Sequence, residues 1–353
     1  MKKSLIALAV AGAFAAPAFA ATSNVDISGQ LHLSLDYLDA DTAAAGGNWN
    51  VSSNASNIVV KGTEDLGGGM KAVWNIQTYF DVGATGNADG SFGGTANGVG
   101  SGNTYVGLNG GFGTVILGKA EAPLKIVSRK VDLFNNQIGD TRNLLGADGA
   151  AADVRPNNVI AYATPNMNGF EATVAYATNL AAGAATDASA TALSMNAFYT
   201  NGPLLLGAGY QNRDLGVAAL QDETVWRLAA GYSFGDFKVV AFWQDENDVA
   251  GAANADRNVW GLGGAYKMGP MTLKAQYYNR DDLGAAVNNG SDLWAVGLDY
   301  AMSKRTTAYI AYATTDNDAT ATATVGGGGH GDNPATVAGG TPNGFSLGLI
   351  HNF

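Results

Sequence analysis

The sequence predicts an all-β fold, a transmembrane antiparallel β-barrel of about sixteen strands. Three observations predict it. Apolar and polar residues alternate in strand-length runs from about residue 25 to the final phenylalanine. A short cationic and apolar leader precedes those runs. The chain as a whole is free of cysteine and has 49 glycines against 8 prolines, and beyond the leader it offers no apolar stretch long enough to cross a bilayer as a helix.

The leader comes first. Met1-Lys2-Lys3 is a positive start, Leu5 to Ala16 is apolar, and Ala18-Phe19-Ala20 supplies a small-x-small cleavage pattern. Residues 1–20 are expected to be a signal peptide, with residues 21–353 forming a single barrel domain that begins at Ala21. A transmembrane anchor is the alternative, but the apolar run is too short for one. Export to the outer membrane of a Gram-negative cell is the expected destination.

In the first strand Val25, Ile27, Gly29, Leu31, Leu33, Leu35 and Tyr37 share one face, and Asp26, Ser28, Gln30, His32, Ser34 and Asp36 share the other. Its length suits a tilted bilayer crossing better than an average globular strand. Further strands are expected near 55–64, 70–82, 103–109, 112–119, 156–164, 168–179, 192–201 and 203–213. More follow near 223–234, 236–246, 257–268, 270–280, 291–302 and 304–316. Tight turns rich in Gly, Asn, Asp and Pro, such as Asn109-Gly110-Gly111 and Gly269-Pro270, alternate with long polar segments at 83–102, 179–191, 246–256, 281–290 and 317–342. Short turns opposite long loops is the asymmetry of an outer-membrane barrel. The final strand runs to Phe353, with Phe345, Leu347, Leu349, His351 and Phe353 on one face. Its expected partners are the first strand and the strand ending near Asp316, so that closure leaves no free edge. Aromatic residues near strand ends, among them Trp226, Phe234, Phe237, Trp243, Trp260, Trp294 and Tyr300, read as two interfacial belts.

A net charge of −11 excludes the clustered Lys and Arg that nucleic-acid binding needs. No nucleophile motif, zinc spacing or phosphate loop is present, and three histidines (His32, His330, His351) do not make a catalytic constellation. No cofactor is expected. Acidic loop groups such as Asp281-Asp282 could hold a divalent cation against lipopolysaccharide, or stand as solvated charge.

A more specific signal lies in Gly62-Thr63-Glu64-Asp65-Leu66-Gly67-Gly68-Gly69-Met70-Lys71-Ala72. With Gly107-Leu108, Gly111-Phe112-Gly113-Thr114-Val115, Gly118-Lys119, Asn157-Asn158, Val296-Gly297, Ser303-Lys304-Arg305-Thr306 and the closing Gly348-Leu349, it resembles the general porins of Gram-negative bacteria, particularly the neisserial and β-proteobacterial type. The resemblance implies a homotrimer of 16-stranded barrels, each with its own pore, and a loop after the fifth strand folded inward as the constriction. It also implies that Phe353 is the signal read by the barrel assembly machinery. The loop in question is 120–153, whose charged residues are Glu121, Lys125, Arg129, Lys130, Asp132, Asp140, Arg142, Asp148 and Asp153. Each is expected either to set the local potential or to anchor the loop. Alternation places Lys61, Lys71, Lys119, Arg155, Arg227 and Lys274 on the pore wall. The chain departs from the family pattern at Asn57, Gln77, Ala161, Ala163 and Ile350, where related porins often carry charge.

The expected function is passive diffusion of ions and small hydrophilic solutes through a water-filled channel in outer-membrane lipid, weakly selective and tilted toward cations by the overall acidity. A channel specific for sugars or organic acids is the first alternative, with Tyr79, Tyr278 and Tyr309 as inward rings. A non-conducting barrel serving as adhesin or anchor is the second.

Overall fold

The computed structural model describes residues 23–42, 47–80, 99–145, 152–180, 190–285 and 288–353. The leader and Asp148 lie outside the described residues. Among the described residues, seventeen strands form one sheet that closes on itself. They are β1 (Ser23–Asp39), β2 (Asn48–Ser53), β3 (Asn57–Gly67), β4 (Met70–Tyr79), β5 (Thr104–Gly110), β6 (Gly113–Lys119), β7 (Val159–Ala163), β8 (Phe170–Thr178) and β9 (Thr191–Asn201). The rest are β10 (Leu204–Asp214), β11 (Glu223–Phe234), β12 (Phe237–Asn247), β13 (Arg257–Met268), β14 (Met271–Arg280), β15 (Ser291–Ala301), β16 (Thr306–Asn317) and β17 (Asn343–Asn352). Two short helices, α1 (Pro123–Arg129) and α2 (Arg142–Leu145), lie between β6 and β7.

The seam matches the expectation from sequence: β17 pairs with β16 on one side and β1 on the other, with Gln30 opposite Asn352 and Asp39 opposite Asn343. One strand differs. β1 faces two strands in line, its lower half paired with β3 and its upper half, Leu33 to Leu38, with β2. The break falls at residues 54–56, where Ala55 takes a left-handed φ of 54°. Left-handed backbone cannot continue a ladder, so the chain bulges and resumes. Counted as one interrupted strand, β2 and β3 give sixteen positions around the barrel.

The side-chain period of two then decides what each face meets. Leu31, Leu35, Leu347 and Leu349 are exposed outward, while His32, Ser34, Asp36 and Ser346 are buried inside. An apolar surface this extensive marks a lipid-facing wall. Rings gather toward both ends of it. Tyr232, Phe234, Phe237 and Tyr266 stack in succession near the short turns. Trp226, Trp260 and Trp294 pair with tyrosines near the long loops.

The lumen is not empty. Residues 120–145 and 152–158 of the connection between β6 and β7 enter it and pack against the inside of β9 to β16. Leu124, Val127, Val131, Phe134, Ile138, Leu144 and Leu145 are fully buried. Val127, Val131, Leu144 and Leu145 meet Phe198, Val240, Phe242, Val259, Tyr278 and Leu293, Phe134 and Ile138 meet Tyr309, Ala311 and Ala313, and Leu124 packs with Ala152 and Val225. Each such side chain removed from water contributes about 1.5–3 kcal/mol. α1 starts on Pro123, whose missing N–H costs nothing at the first helical position. Half of the barrel therefore has a solid core. The other half is a single wall facing a cavity.

Candidate functional site

That cavity, about 1000 Å³, lies between the inner face of the loop and the walls of β1, β3, β4 and β7 to β9. Its free wall is nearly uncharged. The Gln77 side-chain amide donates to Asn57 Oδ1 at 3.2 Å, and its Oε1 accepts from the Asn103 backbone at 3.0 Å. Val159, Ala175 and Ala177 add an apolar strip. Charge comes from the loop, its two stems and β10. Among the described residues the lining includes six basic side chains, Lys119, Lys125, Arg129, Arg142, Arg155 and Arg213, against the acidic Glu121 and Asp153.

Each acidic group near the cavity is matched. Glu121 takes Lys125 at 3.1 Å and Arg155 at 3.0 Å. Burial alone would raise its carboxyl, but Lys125, Arg155 and Arg129 together bring it down to about 2. Lys125 is held down to about 8 by burial and by Arg142 and Arg155, against the pull of Glu121. Arg155 also donates to Tyr79 and Asn103 at 2.9 Å each, which fixes it at the loop's exit. Asp140 forms a two-point pair with Arg142 and accepts from the Asn136 backbone. Arg129, half-buried on the cavity, has no ion-pair partner among the described residues.

The remaining charges expected to shape the pore are placed differently. Asp132 faces the wall, accepting from the Phe134 backbone, Gln276 and Thr141. Burial and then Asp140 push its carboxyl up to about 7. Lys130 is exposed, 5.6 Å from the Phe198 ring centre. Lys61 and Lys71 are exposed toward the short-turn end, opposite Asn75 and Asp65. Arg227 and Lys274, expected on the open wall, instead lie beneath the loop. Arg227 is fully buried, paired with Asp153 and donating to the Leu124 carbonyl and Ser128 hydroxyl at 3.2 Å. Lys274 reaches Asp299 at 3.0 Å and Gln137 at 2.9 Å, 4.5 Å from the Phe134 ring centre. Alternation says which face a residue takes, and nothing about what covers that face. Tyr278 and Tyr309 are likewise covered, leaving Tyr79, itself mostly buried, as the ring that lines the cavity.

The premise of a cation tilt from overall acidity does not hold at this level of the barrel. Many carboxylates, among them Asp214, Asp222, Asp248, Asp256, Asp281, Asp282 and Asp318, sit at the loop end, while the cavity lining is net basic. The loop's apolar anchors escape a reading that follows charge alone. Their signal is present nonetheless: Leu124, Val127, Val131, Phe134 and Ile138 recur at spacings of three and four, the stripe of an element with one buried side.

Three comparisons bear on this arrangement. The sequence profile described as Gram-negative porin matches residues 7–320. Outer membrane porin protein 32 of Delftia acidovorans is 33% identical over 264 residues, covering 71% of this chain and 72% of the relative. A major outer membrane protein P.IB of Neisseria gonorrhoeae is 33% identical over 183 residues, where the chain spans about half of the relative's length. Among solved structures, the anion-selective porin from Comamonas acidovorans superposes with a TM-score of 0.77 at 27% identity, covering 94% of this chain and 100% of that one. A closed barrel with a polar cavity beside an infolded loop, matched by the family profile from residue 7 to residue 320, belongs to the Gram-negative porin family, the general diffusion channels of the outer membrane.

Proposed function

We propose that the chain works as a homotrimeric pore for small hydrophilic solutes and ions, and that it favours anions. The net basic cavity lining carries the second part. Seven basic groups, counting Arg227, share four carboxylates (Glu121, Asp140, Asp153 and Glu223) around the cavity. Low-dielectric walls focus the resulting positive potential on the passage. In a tenfold KCl gradient across a planar bilayer, the zero-current potential is expected to show chloride favoured over potassium by about two- to fivefold. Arg129→Glu, which reverses a cavity cation that has no ion-pair partner among the described residues, is expected to abolish or invert that preference. A cation-preferring wild-type channel would overturn the assignment.

The outer surface supports the trimer. β3 to β6 carry a single outward ring, Trp74, seated over Gly62, while their other outward side chains are mainly aliphatic, among them Ile76, Val106, Leu108 and Leu117. Rings mark a headgroup interface, and a mainly aliphatic sector, with only Trp74 on its strands and Phe112 at a turn, fits a neighbouring barrel better than lipid. Unheated protein is expected to migrate at about three times the monomer mass on a mild detergent gel. Phe353, at the closed seam, is assigned as the residue that the assembly machinery reads, and the belts and acidic loops as the surface toward lipid and lipopolysaccharide. The substrate-specific alternative is less favoured because two of its three inward rings are covered.

A further inference from the structure

The connection between β16 and β17 leaves the loop end of the barrel, yet its middle does not stay there. Residues 323–331, Ala-Thr-Val-Gly-Gly-Gly-Gly-His-Gly, pass down into the lumen, where Ala323, Val325, the four glycines and His330 are all buried. This strap is tied to the infolded loop by uncharged bonds. The Gly139 backbone donates to the Val325 carbonyl at 2.8 Å, and Asn143 Oδ1 accepts from the Gly327 backbone at 2.7 Å and the Thr324 hydroxyl at 3.0 Å. Glycine is needed for the passage. Gly328 has a φ of 79°, and a Cβ there would lie 2.8 Å from Asp140 Oδ1. Gly329 borders the cavity itself.

His330 is the only ionisable side chain in the strap. Its Nε2 lies 3.0 Å from Asp36 Oδ2, and its Nδ1 meets the Asp332 carbonyl at 2.8 Å. Asp36 projects inward from β1, fully buried, and accepts from Ser34 Oγ at 2.9 Å. The next residue, Gly331, donates to Asn54 Oδ1, and Asn54 in turn donates to Ser34. The other titratable and charged groups around the pair are His32 on β1, bonded to Tyr309 of β16, then Lys274 of β14, Asp332 of the strap's own loop, and Asp140 with Arg142 on the infolded loop.

We propose that residues 323–331 are a second pore-narrowing element, latched into the lumen by the Asp36–His330 pair and released when His330 loses its charge. The proposal rests on the porin reading and adds a moving part to it. Losing one charge of a buried pair strands the other, which is costly. A run of four glycines gains more backbone freedom on release than any other sequence of that length. Burial lowers the His330 imidazole, but Asp36 more than offsets this and holds it above the usual histidine range. A group raised in the folded state keeps its full contribution below its ordinary pKa and loses it as pH climbs through the raised value. Release is therefore an alkaline event.

Single-channel conductance in planar bilayers at constant KCl tests this. Wild-type protein stepped from pH 6 to pH 10 is expected to show a reversible rise of about 1.5-fold as the sector beneath the strap opens. His330→Asn is expected to sit at the higher level already at pH 6 and to lose the step, although Asp132, the loop carboxyl pushed up to about 7, and Lys125, held down to about 8, are both still present. A wild-type channel with no alkaline rise would overturn the latch, with or without a foldable variant. So would a His330→Asn channel of wild-type conductance at pH 6. Absence of any wild-type conductance would instead overturn the porin reading.

Discussion

Arg227→Ala is expected to detach the infolded loop from its wall while leaving the barrel closed. The guanidinium is the point where the wall meets both ends of the loop: Leu124 and Ser128 near its start, Asp153 near its exit. It also donates to Gln244, which donates to Glu246, which pairs with Arg257 at 2.6 Å. Deleting one member of a buried pair leaves the other uncompensated, at a cost of about 3–5 kcal/mol. That cost falls on docking of the loop, because the strand ladders on either side use backbone groups that the substitution does not touch. Bilayer traces are expected to become noisy and of larger mean conductance, and residues 120–158 to become cleavable by protease. Asp153→Asn combined with Arg227→Met is expected to recover part of the loss, since the stranded charge is gone. A quiet channel of unchanged conductance would show that the apolar anchors suffice alone.

Gly348→Val is expected to destabilise the barrel at its seam. The Tyr309 ring of β16 lies flat against Gly348 of β17, so a Cβ at that glycine would occupy the ring's position. The ring must then leave the pocket where its hydroxyl meets His32 at 2.9 Å and its face supports Phe134 and Ile138. Overpacking of this kind costs about 1–3 kcal/mol, and the stranded histidine bond adds about 1–3 more. Urea unfolding in detergent, followed by intrinsic fluorescence and by the heat-dependent gel shift, is the measurement. Gly348→Ala should lie between wild type and the valine substitution. A valine variant with an unchanged midpoint would mean that the ring has another low-energy seat.

Much of the fold could be read from alternation because the bilayer imposes a period of two on every crossing strand. β9 to β16 fall where that period places them, to within about two residues. The interrupted first hairpin was not legible. Its break depends on Ala55 adopting a left-handed backbone that no residue type there announces. The site divides in the same way. Glu121, Arg129 and Arg155 reach the cavity as charged residues of the loop and its stem should. Arg227, Lys274, Tyr278 and Tyr309 have the right face but lie under cover, and cover is a property of the loop's apolar stripe. The strap was the least legible part. Four glycines carry no polarity pattern, and the value of Gly328 and Gly329, letting the strap pass at contact distance from the Asn136, Asp140 and Arg142 side chains, exists only once those side chains are in place.

The division of the barrel into a cored half and a bare wall also has an evolutionary consequence. A substitution on the inner face of β11 or β14 must fit the wall, the loop and often a buried charge at once, so most single changes there are penalised. On β3, β4 or β7 an inner side chain faces the cavity and its strand neighbours, and one residue can be exchanged for another of different charge with small effect on folding. Permeation properties can therefore drift on one side of the channel while the other side preserves the architecture. The neutral Asn57, Gln77 and Ala161 on that freer side are the kind of exchange such drift would leave behind.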